Sequence, residues 1–184
     1  MIRLPRRTAT ILLAATSLLA PGTDLQSQGV RGTAVMSAPS LVLRGLDGRE
    51  RTVFPADLAR LARHDTTVSA HEVSGRYSGV ALTDLLALVN APLGDSLRGR
   101  SLATYVVVEA ADGYRALFSI AELDSRFTDR VVLLADRKDG LPLPATEGPY
   151  RLIVPGEKRP ARWERRGQWI EVYARKRAPD AAVL

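Results

Sequence analysis

The chain alternates between apolar and polar positions in short runs, and the runs break at Asp-Gly pairs. "SLVLRGLDGRERTVF" (40–54) alternates on both sides of Asp47-Gly48, the pattern of two strands joined by a tight turn. "PADLARLARH" (55–64) follows, with Pro55 opening a helix and Leu58 and Leu61 on one face. Residues 66–74, "TTVSAHEVS", set Val68 and Ala70 between polar neighbours and predict a strand; "GRYSGV", with two glycines, predicts a turn. In "ALTDLLALVNAP" Leu82, Leu85, Leu86 and Val89 share a helical face, and Pro92 stops it.

"LATYVVVEAADGYRALFSI" predicts a second hairpin turning at Asp112-Gly113. Ser119 and Glu122 have the spacing of a capping box for a short helix. An apolar strand is expected over Val131 to Ala135, ending near Asp139-Gly140, and then strands in "YRLIVPG" and "GQWIEVYARK". Hairpins dominate and short helices are interleaved, so the fold class is α+β with mixed, largely antiparallel sheets. No repeat and no second domain is evident.

The first 22 residues follow another pattern. Arg3, Arg6 and Arg7 precede an apolar run from Ala9 to Ala20 and then Pro21-Gly22, the layout of a signal peptide. The run is shorter than the roughly 18 apolar residues that a membrane span needs. We therefore expect residues 1–22 to be a leader, 23–39 a linker, 40–176 the domain and 177–184 a frayed tail. An exported protein, periplasmic or extracellular, with no membrane span once the leader is removed, is the expectation.

Composition narrows the function. With 46% hydrophobic and 25% charged residues the chain is an ordinary globular one. Its net charge of +6 includes three leader arginines, and aromatics are only 5%, which argues against a nucleic-acid partner. There is no cysteine, so neither disulfides nor thiolate metal ligands are available.

No Gly-rich nucleotide loop or nucleophile-elbow motif is present. His64 is expected at a helix C-terminus, where a cation suits the dipole. His71, just before the Gly-rich segment, is the functional candidate of the two. Asp112 and Asp139 stand in Asp-Gly turns, where a carboxylate bonds the local backbone. The charge concentrates in "EGPYRLIVPGEKRPARWERR" (147–166), with five arginines and one lysine. Arginine forks donate paired hydrogen bonds to oxyanions, so Lys158, Arg159 and Arg162 beside Trp163 fit the rim of an anion pocket. A solvated loop balanced by Glu157 and Glu164 is the alternative.

The order of segments adds a resemblance. "YSGVALTDLL", "VVVEAADGYRALFSIAEL", "VVLLADRKDGLPL", "EGPYRLIVPGEKRPARW" and "WIEVYAR" follow one another as in the sulfite oxidase-type molybdopterin-binding domain, over about residues 41–175. In that family an aromatic followed by Gly-Val-x-Leu opens a helix, a DGY-like turn follows, and a "GP.Rl.vPg…RW" segment lines the cofactor site. The resemblance implies a sulfite oxidase-like molybdopterin-binding fold. It also implies a cofactor-binding set of His71, Tyr77, Asp112, Arg151, Lys158, Arg159 and Arg162, with the four basic residues converging on one concave surface with His71 and Tyr77.

Catalytic members also place a cysteine thiolate on molybdenum, in the segment that here reads "TTVSAHEVSGRYSGV". His71 or Glu72 stands near that place, and imidazole or carboxylate would change the electronics of such a centre. Molybdopterin is thus implied by resemblance, whereas the missing thiolate argues against molybdenum, against any metal ligand set and against redox catalysis. The twin arginine Arg6-Arg7 lacks the following apolar residue expected for export of a loaded protein. Two readings stand: an exported oxidoreductase-like domain that takes molybdopterin, or a non-catalytic module of the same fold that binds a small anion or a redox or protein partner.

Overall fold

A computed structural model describes residues 39–70, 73–163 and 165–174. The leader, the tail and all of the linker but Pro39 lie outside them, and so does His71.

The domain is built from two five-stranded sheets. β1 (Leu41–Arg44) and β2 (Glu50–Val53) form the first hairpin, turning at Asp47-Gly48 as expected. α1 (Pro55–Leu58) leads into β3 (Arg63–Ala70), which pairs along its whole length with β4 (Val73–Ala81). α2 (Leu82–Ala87) follows at once. The second hairpin joins β5 (Thr104–Ala110) to β6 (Arg115–Ser119) at Asp112-Gly113. β7 (Leu133–Lys138), β8 (Leu141–Pro142), β9 (Arg151–Ile153) and β10 (Gly167–Ala174) complete the set. One sheet has the order β2-β1-β10-β5-β6; the other runs β3-β4-β7-β8, with β9 also on β7. Among the described strands only β1 and β10 pair in parallel, so the sheets are mixed and largely antiparallel.

The alternation in β5 sorts its side chains, with Val106 and Val108 fully buried and Val107 and Glu109 half-buried. From β6, Ala116 and Phe118 turn to the same core. Leu133 to Ala135 on β7 and Leu152 and Ile153 on β9 are buried in succession, the composition of strands covered on both faces. Leu82, Leu85 and Leu86 carry α2 onto this core while Val89 is half-buried. Each such leucine contributes about 2 kcal/mol by leaving water. The Ser119–Glu122 box forms around a 3-10 turn, Ile120–Glu122, with the Ser119 amide 2.9 Å from the Glu122 carboxylate.

Three expectations are corrected. The helix after Pro55 ends at Leu58, and His64, expected at its C-terminus, lies on β3 opposite Gly79 and 3.8 Å from Asp84. The Leu58–Leu61 spacing gives way because residues 63–70 gain a full ladder with β4, and tertiary pairing overrides a weak local preference. The "GRYSGV" segment is strand, not turn. A Cβ on Gly79 would lie 2.1 Å from the Leu134 carbonyl oxygen, and one on Gly75 would meet Lys138. These glycines let β4 approach β7 closely, at a register shift between Ser78 and Gly79. Finally, the strand expected over Val131 to Ala135 is displaced to Leu133–Lys138 and ends in a two-residue turn. Asp139 and Gly140 there both have positive φ, 51° and 81°, as a type I′ hairpin demands.

Candidate functional site: two arginine clusters

The basic stretch does not gather on one surface. It divides between a buried cluster around Arg151 and a half-exposed one around Arg162.

Arg151 enters from β9 and is 2% exposed. Its Nη1 donates to Glu147 Oε2 at 2.5 Å and to the Tyr77 hydroxyl at 3.3 Å. Tyr77 is fully buried on β4. Lys138, opposite Tyr77 in the β4–β7 ladder, holds its ammonium 5.6 Å from the Tyr77 ring centre. Glu147 hangs from the turn before β9, where its amide bonds the Pro144 carbonyl. Arg151 Nε is buried with no partner among the described residues, and such an orphaned donor costs about 1–3 kcal/mol.

Arg162 closes a 3-10 turn, Pro160–Arg162, started by Pro160. It bonds Glu157 at 2.7 Å through Nε, and its Nη1 reaches Glu122 at 3.2 Å and the Leu117 carbonyl at 3.1 Å. Its guanidinium lies 4.3 Å from the Phe118 ring centre. Burial pulls its pKa down, but the hydrogen bonds and charges of Glu122 and Glu157 outweigh this and hold it above the usual arginine range. Glu122 also takes Arg130, at 3.1 Å. The arrangement fastens the turn over the edge strand β6.

The other expected residues fall around the second cluster or outside both. Asp112 is exposed and accepts the Tyr114 amide at 3.1 Å, the local bond of its turn. The Tyr114 hydroxyl bonds the Ala161 carbonyl, so this hairpin tip leans on the Arg162 turn. Lys158 and Arg159 are exposed on that turn and make no ion pair with a described residue. Trp163 is buried in the core rather than forming a pocket wall. The expected convergence of these cations on one concave surface is therefore corrected: Arg151 meets Tyr77 inside the fold, while Arg162 lies separately beside the hairpin tip of Asp112 and Tyr114.

Glu147, Glu122 and Lys138 were not among the expected site residues, although they decide what both arginines can do. Glu147 stands four residues before Arg151 in the same basic stretch, and that proximity of opposite charge was the available signal. A cavity of about 410 Å³ lies elsewhere, between the start of α2 and residues 123–132, lined by Thr83, Ser125, Thr128 and Arg130 among others. None of the expected site residues lines it.

The cofactor implied by resemblance fits these residues poorly. Its metal takes a protein thiolate in catalytic relatives, and this chain has no cysteine. Arg151 and Arg162 already face Glu147, Glu122 and Glu157, so the cofactor's phosphate would fall to the exposed Lys158 and Arg159. Among the described residues no group of three His, Cys, Asp or Glu is placed to hold a metal ion.

Comparison with known proteins places the fold. No curated protein matches the chain. Among solved structures it is similar to the sulfane dehydrogenase SoxCD from Paracoccus pantotrophus, with 21% identity and a TM-score of 0.56. The similarity covers 74% of this chain and only 38% of that one. Residues 40–164 match the family described as oxidoreductase molybdopterin binding domain. That span takes in both sheets except for β10, together with both arginine clusters, and the chain therefore belongs to the oxidoreductase molybdopterin-binding domain family.

Proposed function

We propose that this chain is an exported, non-catalytic binding member of its family. Its basic turn offers Lys158 and Arg159 to a small anionic ligand, and it does not run thiolate-ligated molybdenum chemistry. The observation that carries this reading is the absence of cysteine from all 184 residues: a metal held by a protein sulfur has no ligand here. The arginine clusters support it, because both inner arginines already face carboxylates, whereas Lys158 and Arg159 pair with no described residue. Family membership makes molybdopterin, a phosphate-bearing anion, the first ligand to test. Export rests on the basic–apolar–small pattern of residues 1–22.

The test is analysis of protein purified from its native compartment. Molybdenum far below stoichiometric, no sulfite oxidation and an N-terminus between Thr23 and Gly29 are expected. Stoichiometric molybdenum overturns the reading and makes His71 the first residue to mutate as a replacement ligand. In the same preparation, Lys158→Ala with Arg159→Ala should weaken phosphate binding about tenfold. Unchanged affinity overturns the placement on this turn.

A protein partner is a second reading, favoured by one observation. Tyr114 and Leu117 are 51% and 56% exposed beside the Arg162 turn. Aromatic and aliphatic side chains next to cations suit an acidic partner surface with an apolar centre.

A further inference from the structure

We propose that Glu147 is an internal stand-in for an anionic ligand, and that Arg151 beneath it is a latent oxyanion site which Glu147 keeps closed. Three observations point there. First, Arg151 is 2% exposed, and a buried guanidinium requires a counter-charge. Glu147 supplies it through one oxygen on one nitrogen, at 2.5 Å, where a carboxylate or phosphate facing arginine commonly makes two parallel bonds. Second, Nε is buried without a partner, and Nη2 donates to no described residue, so among the described residues one whole edge of the fork finds no acceptor. Third, burial is asymmetric. The Glu147 side chain is 22% exposed against 2% for Arg151, so the carboxylate stands on the solvent side and is the partner that can leave.

The surroundings select the ligand class. Arg151 and Lys138 bring two positive charges to the Tyr77 ring, and Glu147 returns one negative charge. Asp139, next to Lys138, is engaged by the Arg76 amide at 2.9 Å. With Glu147 in place a second anion meets a carboxylate on the solvent side. With Glu147 neutral, a small tetrahedral oxyanion such as phosphate or sulfate meets two cations, a phenol hydroxyl and an unused pair of N–H donors. The inference is independent of the surface turn, because removing Lys158 and Arg159 leaves Arg151 and Glu147 intact.

The experiment compares full-length wild type, Glu147→Gln, and Glu147→Gln with Arg151→Met, in inorganic phosphate and in chloride at equal ionic strength. Ligand that binds only the native state raises its melting temperature. The phosphate-specific rise should be at least about threefold larger in Glu147→Gln than in wild type, and it should vanish in the double variant. Equal rises in wild type and Glu147→Gln overturn the gate. A rise that survives in the double variant means an adventitious ion only. Should Glu147→Gln not fold in chloride, it is refolded in each salt: recovery in phosphate alone supports the proposal, and recovery in both or in neither overturns it.

Discussion

Arg151 and Arg162 come from the same basic stretch and meet opposite fates. Arg151 is buried on β9, leans on one carboxylate and one phenol, and leaves Nε without a partner among the described residues. Arg162 is partly exposed and shares two carboxylates, a carbonyl and an aromatic face. The second is a fastening of the surface: each of its contacts is replaceable by water. The first has no such recourse while Glu147 covers it, since Arg151 is 2% exposed. Arg151 stands on a buried strand and Arg162 on a half-exposed 3-10 turn, so the depth of the element that carries each arginine separates a staple from a site.

Removing the buried guanidinium is the strongest way to break this contrast. Arg151→Met should cost about 3 kcal/mol in urea denaturation, because Glu147 and Tyr77 lose their partner inside the fold. Adding Glu147→Gln should return most of that, since an uncharged pair of similar volume has little to desolvate. A double variant as unstable as the single one would place Arg151 on the same footing as Arg162. Next in size, Arg162→Lys keeps the charge but loses the fork and the stacking on Phe118. The loss should be about 1 kcal/mol, discounted for exposure, and it should shrink in high salt. A loss near that of Arg151→Met would overturn the distinction by depth.

The smallest effect sets the scale for an exposed pair. Asp65 on β3 accepts from Ser78 and, at 3.0 Å, from Arg76. The Ser78 bond first and the Arg76 bond second lower its pKa below the 3.8 of a free aspartate. A carboxyl with a depressed folded pKa stabilises above its unfolded value, and that share is lost as pH falls through the folded one. Stability of wild type should therefore drop slightly more steeply than that of Asp65→Asn below about pH 4. Parallel curves would remove Asp65 from the account.

Much of the fold was legible because its signals are local. Asp47-Gly48 and Asp112-Gly113 sit at hairpin tips, Ser119 and Glu122 form their box, and Leu82, Leu85 and Leu86 face the core. What stayed hidden depends on partners distant in the chain. Gly79 reads as a turn residue until the Leu134 carbonyl is known to lie against it. The short α1 yields to a ladder that only β4 can provide. The site was legible by halves for the same reason. Periodicity and charge mark where arginines stand, but Glu122 reaches Arg162 across 40 positions, and no local pattern announces a counter-ion that far away. The two clusters therefore looked like one.

The parallel pairing of β1 with β10 sets a clock on the molecule. β10 is the last described strand in the chain, yet it is laid between β1 and β5 at the centre of its sheet. Arg44 and Glu171, which bond across that seam, are 127 positions apart. The β1–β2 and β5–β6 hairpins can each close on themselves, but among the described strands only β10 joins them. Closing so long a loop is entropically costly and slow. Until β10 is in place the two hairpins stay separate halves of this sheet, and its closure waits on a strand far along the chain.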